Sequence, residues 1–345
     1  MHPLSLENRE SAAHSAGPPT DAEPLPADVD SIQPGGGFCM SLELGWGYGR
    51  RWWLKTFRRG YVARMAALRR GEPTGCPHDV LDSRDLKFYH NQSGCHWDPA
   101  DDPFTWRDRL PLARAGFAEL LIIGGGFAVL TMIAAWLFWP ACFIPALLGL
   151  FVISFFRDPS RNVPSGEGLV VAPADGKVVA IERLPHDEFV GGPAVMVGIF
   201  LSVFNVHLNR TPVAARIVGL RYRRGKFLNA LRPESARENE QMAIRLVETS
   251  PPYRRLVVRQ IAGAIARRIV CWVAPGECLE RGAKVGMIKL GSRTELVLPE
   301  TPGLVLHVKL GDHVRAGSSV VARYENISDP PEKSHVTTQG TSGSA

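Results

Sequence analysis

The chain has 345 residues, with 40 Lys and Arg against 34 Asp and Glu for a formal charge of +6, and it is 45% hydrophobic but only 21% charged. That is enough apolar material for a sizeable core, and it excludes collagenous, wholly disordered and disulfide-scaffold classes. The mean hydropathy of −0.04 averages over a very uneven chain, which argues against a single soluble globule.

Residues 1–44 read as a disordered tail. Up to Gly37 they hold six acids against one base, Pro18, Pro19, Pro24 and Pro26, and no Phe, Trp or Tyr. No basic segment precedes an apolar run here, so no secretory signal is expected. Residues 45–115 form a basic aromatic extension. Arg50, Arg51, Lys55, Arg58, Arg59, Arg64, Arg69 and Arg70 alternate with Trp46, Trp52, Trp53, Phe57 and Tyr61, and no acid follows until Glu72. This suits an anionic lipid surface rather than nucleic acid, the bland alternative being a solvated helix face. The six cysteines are scattered, as expected of reduced thiols in a cytoplasmic compartment. Cys76, His78, His90, Cys95 and His96 fit no tight zinc knuckle, and no metal is expected.

Residues 116–156 read as a membrane hairpin. Leu120 to Phe156 runs for 37 residues without a charged side chain. About 20 helical residues cross a hydrocarbon core, so this run is too long for one span. Trp139-Pro140 breaks it near the middle, giving two short spans. Arg107, Arg109 and Arg114 precede the run and Arg157 and Arg161 follow it, which places both flanks in the cytoplasm.

Residues 157–326 read mainly as β. Runs at Leu169–Val171, Lys177–Ile181, Val195–Phe200, Ile269–Val273 and Glu295–Leu298 are punctuated by Gly, Pro and Asp. A helix is expected over about Ser235–Val247. The pattern Gly-acid-x-aliphatic-x-x-Gly occurs at 276–282 and again at 311–317, which predicts two similar hairpin units in a barrel-sandwich-like domain. The expected fold is thus mainly β (α+β), behind a two-span hairpin and a poorly ordered extension. Residues 327–345 read as a second disordered tail.

Three places in the β domain offer chemistry. Asp175 sits in a Pro-Ala-Asp-Gly turn, His207 lies in an apolar extended stretch, and Ser292 follows Gly291 between two strands. Together they supply an acid, an imidazole and a hydroxyl, the parts of an activated nucleophile. Each alone has a structural explanation, and the G-x-S-x-G elbow of a hydrolase is absent.

The run FFRDPSR at 155–161, PADGKV at 173–178, VHLNRTP at 206–212, GKFLNA at 225–230, ENEQ at 238–241, QIAGAIARRIVCWV at 260–273 and GMIKLGSR at 286–293 resemble the short-type phosphatidylserine decarboxylase proenzymes. The likeness covers about residues 116–326. It implies self-cleavage between Gly291 and Ser292 into a β chain (1–291) and an α chain (292–345), with Ser292 becoming a covalent pyruvoyl group in place of pyridoxal phosphate. It further implies a Schiff base between that group and the serine headgroup, His207 as base, and Asp175 as its orienting partner. The substrate and partners implied are phosphatidylserine and the lipid bilayer, with the catalytic domain on the cytoplasmic side of the cell membrane and no nucleic acid. Arg223, Arg224, Lys226 and Arg293 are candidates for the phosphate. Two alternatives compete: an archaetidylserine decarboxylase, and a membrane-anchored biotinyl- or lipoyl-like adaptor with Lys289 as carrier lysine.

Overall fold

A computed structural model describes residues 22–24, 37–70, 97–265 and 267–325. The Cys76–His96 cluster and the 327–345 tail lie outside them. Helix α1 (Phe38–Phe57) begins inside the segment expected to be a tail. Its buried residues, Cys39, Glu43, Gly47, Arg51 and Leu54, recur every three or four positions and define one inward face. Helix α2 (Arg59–Ala67) follows, and its Met65 packs with Trp97 and Phe104. The Trp97 indole donates to the Met65 carbonyl at 2.7 Å. The extension is therefore folded where it is described.

Helix α3 (Arg114–Leu137) is long and apolar enough to cross a membrane, and none of its most apolar window is buried. Trp139-Pro140 ends it as expected, and the second apolar helix, Trp139–Phe155 (α4), is shorter. The two pack together, with Gly149 facing Phe127. Their outer ends are tied to each other: Ala113 N–H donates to the Phe156 carbonyl at 2.6 Å, and Asp158 N–H to the Pro111 carbonyl at 2.8 Å.

The remaining chain is β-rich. Strands β1 (Leu169–Val171), β2 (Gly176–Asp187), β3 (Gly192–Leu201), β4 (Leu208–Arg210) and β5 (Ala215–Arg223) precede a one-turn helix α5 (Ser235–Glu238). Next come β6 (Gln241–Glu248), β7 (Arg255–Ile261), β8 (Arg268–Cys271), β9 (Cys278–Leu279), β10 (Lys284–Lys289) and β11 (Ser292–Pro299). The last strands are β12 (Leu304–Leu306), β13 (His313–Val314) and β14 (Val320–Tyr324). They form an eight-stranded sheet ordered β13-β2-β3-β11-β7-β6-β5-β9 and two three-stranded sheets, β1-β14-β12 and β4-β10-β8.

Two expectations change here. The helix expected over 235–247 stops at Glu238, and β6 replaces the rest. Met242, Ile244 and Leu246 are buried at every second position, the period of a strand gripped between β5 and β7. The two Gly-acid repeats are not matching hairpins. Each supplies a two-residue strand, β9 and β13, at opposite ends of the eight-stranded order. Their closing glycines nevertheless meet, since a Cβ on Gly317 would stand 3.5 Å from the Gly282 Cα. The ends of the large sheet therefore curl toward each other around the main core of Val, Ile and Leu.

Candidate active site

The chain leaves β10 in one sheet and enters β11 in another through two residues, Leu290 and Gly291. Both have left-handed backbone, with φ of 52° and 67°. Glycine accepts this freely, but Leu290 is held there at a cost of about 1–2 kcal/mol. The Gly291–Ser292 peptide bond thus lies at a strained corner between sheets. Beside it is Gly263, whose missing side chain is a requirement. A Cβ there would fall 1.5 Å from the Gly291 carbonyl oxygen.

Ser292 is fully buried as the first residue of β11, opposite Leu201 of β3. Its hydroxyl has no hydrogen-bond partner among the described residues, which is unusual for a buried polar group. His207, also fully buried, lies across the corner. Its Nδ1 faces the Asn205 carbonyl at 2.9 Å, and its Nε2 accepts from the Gly291 N–H at 3.3 Å. These two contacts assign the tautomer, with the proton on Nδ1 and the lone pair on Nε2 toward the Leu290–Gly291 corner. Burial pushes the imidazole down to about 4, aided by the Arg157 charge and opposed by the Asn205 contact, so it is neutral at pH 7. The Phe155 ring, at the end of α4, stands 4.5 Å from it, centroid to centroid.

Asp175 does not orient this histidine. Its Oδ2 is ion-paired with Arg161 at 2.8 Å, and its Oδ1 accepts from the Ala316 N–H at 2.8 Å. The orienting part falls to the Asn205 carbonyl, held by a turn in which the Asn205 side chain accepts from the Ser202 N–H and hydroxyl. Arg157 and Arg161, read from sequence as flanks of a membrane span, are tied into the β domain. Arg157 donates to the Phe204 carbonyl at 2.7 Å, while the intervening Asp158 binds Arg210 and Lys284. The FFRDPSR run is the hinge pin between helices and site.

Arg293 is turned away from the serine. Successive strand side chains point to opposite faces, and Arg293 is buried against Gly198 and paired with Glu295 at 2.9 Å. Arg223, Arg224 and Lys226 lie at the exposed end of β5 and the loop after it. Arg223 donates to the Arg237 carbonyl and Lys226 pairs with Glu238 at 2.7 Å. That loop reaches the site, because Asn239 bonds both the Leu228 and Ala262 carbonyls at 2.8 Å. Lys289 is no carrier lysine, being fully buried in ion pairs.

Sequence reasoning passed over three more residues. Below Ser292, Gln260 donates to Asn209 at 2.8 Å and Asn209 to the Thr294 hydroxyl at 3.0 Å, bracing β11 from β7 and β4. Gly263, Gln260 and Asn209 all fall within the motifs quoted above, yet nothing in their spacing shows that they converge.

The phosphatidylserine decarboxylase family model matches residues 148–322. A phosphatidylserine decarboxylase proenzyme of Rhodopirellula baltica is 50% identical over 240 residues, covering 70% of this chain and 99% of its own. The corresponding proenzyme of Symbiobacterium thermophilum is 43% identical over 212 residues, 61% of this chain and 95% of its own, and that of Carboxydothermus hydrogenoformans 41% over 218 residues, 63% and 98%. The corner, the buried serine and the neutral histidine thus sit in a chain of the decarboxylase-proenzyme type. The chain belongs to the phosphatidylserine decarboxylase family.

Proposed function

We propose that the chain decarboxylates phosphatidylserine at a membrane surface, through a pyruvoyl group it makes by cutting itself between Gly291 and Ser292. The observation that carries this is the unpartnered, buried Ser292 hydroxyl at a strained corner faced by a neutral imidazole. Ser292 Oγ gives its proton to His207 Nε2 and bonds to the Gly291 carbonyl carbon. The C–N bond then breaks, the nitrogen takes the proton from the imidazolium, and an ester remains. His207 next removes the Ser292 Cα proton, the Cα=Cβ double bond forms, and the Ser292 Cβ–Oγ bond breaks, so that Oγ leaves as part of the Gly291 carboxylate. Water replaces the nitrogen of the resulting dehydroalanine, and ammonia leaves.

The residues present fit such a group. Gly263 leaves room for the carbonyl at 291, and the Ser292 hydroxyl is held by no hydrogen bond among the described residues. The pyruvoyl carbonyl supplies the sink for the electron pair released with CO₂. The cations of Arg223, at the end of β5, and of Arg224 and Lys226, on the loop that Asn239 ties to Ala262, suit a phosphodiester. Arg293 drops out of that set.

The product is phosphatidylethanolamine, and the substrate is drawn from a bilayer that α3 and α4 enter as a two-span hairpin. At about 1.5 Å per residue, α3 reaches about 36 Å and α4 about 26 Å, near a hydrocarbon core of about 30 Å. The hydrogen bonds between their outer ends favour both flanks on one side, and the cations there favour the cytoplasm. The curled sheet suits a barrel-sandwich description, and the exposed Trp52, Trp53 and Phe57 suit an interfacial position for α1.

Intact mass of the purified protein tests the reading. The 37.8 kDa chain should be replaced by residues 1–291 and a fragment of 345 − 291 = 54 residues that is blocked to Edman chemistry. Ser292→Ala should stay whole and inactive. Active wild-type enzyme with an uncut chain would sink the proposal.

A further inference from the structure

Two buried cations stand behind the scissile corner. Lys289, two residues before Gly291, and Arg268, its cross-strand neighbour on β8, are fully or almost fully buried. Their partners come from outside the residues that the family model matches. Glu43 of α1 grips Arg268 with both oxygens, at 3.1 Å and 2.6 Å, and accepts from Lys289 at 2.6 Å. Glu119 of α3 also pairs with Lys289, which in addition donates to the Ala115 carbonyl at 3.1 Å. The four charges sum to zero, and none of the four residues is more than 4% exposed. A buried charge is tolerated only when paired, so removing one acid strands a cation next to the Leu290–Gly291 corner.

We propose that α1 is a built-in positioning element for self-cleavage, with Glu43 as the residue through which it acts. By bridging Arg268 and Lys289, with Glu119 supplying the second negative charge, Glu43 fixes the end of β10, and that strand delivers Leu290 and Gly291 in their left-handed conformation. A second contact ties the extension to the β domain: the Glu23 N–H donates to the Val218 carbonyl at 2.6 Å, and its carboxylate pairs with Arg221 and Arg245. The relatives above align with 61–70% of this chain while covering 95–99% of themselves, so part of this chain has no counterpart in them. The two cations lie within the residues that the family model matches, and Glu43 lies outside them.

The inference rests on cleavage at Gly291–Ser292, and the test separates the two. Full-length proenzyme is synthesised in a cell-free system with detergent, and the cleaved fraction is followed over time by mass. Glu43→Gln leaves a net positive cluster and Arg268→Met a net negative one, so each should slow cleavage by about 10-fold or more. The double variant keeps the neutral Lys289–Glu119 pair and should return to within about 3-fold of wild type. A packing role would instead make the double variant slower than either single one. The same changes in the uncleavable Ser292→Ala chain report folding by thermal melting. Cleavage of Glu43→Gln at the wild-type rate, a double variant slower than both singles, or an unfolded Glu43→Gln chain in that background would each overturn the proposal. Failure of wild type itself to cut would overturn the self-cleavage reading instead.

Discussion

The two faces of β11 carry opposite kinds of polar group. On one, Ser292 and Thr294 lead into an uncharged network of Asn209 and Gln260, with His207 held neutral. On the other, Arg293 pairs with Glu295, Glu295 with Arg259, and Arg259 with Asp187. Strand alternation puts these sets one residue apart in sequence and on opposite sides of the sheet. Charge is kept off the face that carries Ser292 and concentrated on the face that braces the sheet. Neighbouring residues of one motif, Ser292 and Arg293, therefore do unrelated jobs.

Changes on the two faces should separate sharply. His207→Ala should slow self-cleavage by about 10²–10⁴-fold, the usual worth of a general base, with the uncut chain still folded. The time course of fragment appearance measures it, and a rate within a few-fold of wild type would assign the proton transfer elsewhere.

Acid should expose the same histidine. Its folded value of about 4 lies below the ordinary 6.5, so the folded state binds fewer protons than the unfolded one between those pH values. Cleavage should hold as pH drops through 6.5 and fail only near 4, while stability is lost progressively over that interval. Stopped reactions across pH 4–8, alongside melts of the Ser292→Ala chain, give both curves. A cleavage midpoint near 6.5 would mean that the imidazole is not buried as described.

Asp175→Asn separates orientation from scaffold. The carboxylate pairs with Arg161 and caps the Ala316 amide, so the change should lower stability by a few kcal/mol while cleavage of the folded fraction changes less than for His207→Ala. Thermal melts and cleavage rates measured on one preparation decide it. The smallest effect is expected from Arg293→Met, which keeps the length and apolar stem. It should shift the melting temperature by a few degrees and leave cleavage within about 3-fold.

Much of this was legible beforehand, for physical reasons that differ by region. The 37 uncharged residues announce a helix pair, and punctuated Val and Ile runs announce strands, because both signals are local. The stretch 241–248 was misread because its helix-compatible composition hides an alternation that only β5 and β7 enforce. Ser292, Gly291 and His207 stood out through motif resemblance, whereas the partner of His207 did not. A backbone carbonyl fixes its tautomer, and carbonyls leave no mark on a sequence. Glu43 was lost inside a segment judged by its prolines and acids, although Cys39, Glu43, Gly47 and Arg51 already trace one helical face.

Strand β11 pairs with β3 along its length and with β7 from Arg293 to Val297, and both of those strands lie upstream of Ser292. A cut at Gly291–Ser292, as proposed, would sever the chain at the entrance to a strand that stays clamped, so the 54-residue piece should remain in the sheet until the whole fold is undone. The same arrangement sets the order of events. The histidine comes from the entry to β4 and the glycine cradle from the end of β7, so the corner exists only after distant stretches of chain have found one another. Under that proposal maturation would be a checkpoint that the protein administers to itself: a copy that failed to thread its middle strand would keep an ordinary serine and never join the working population.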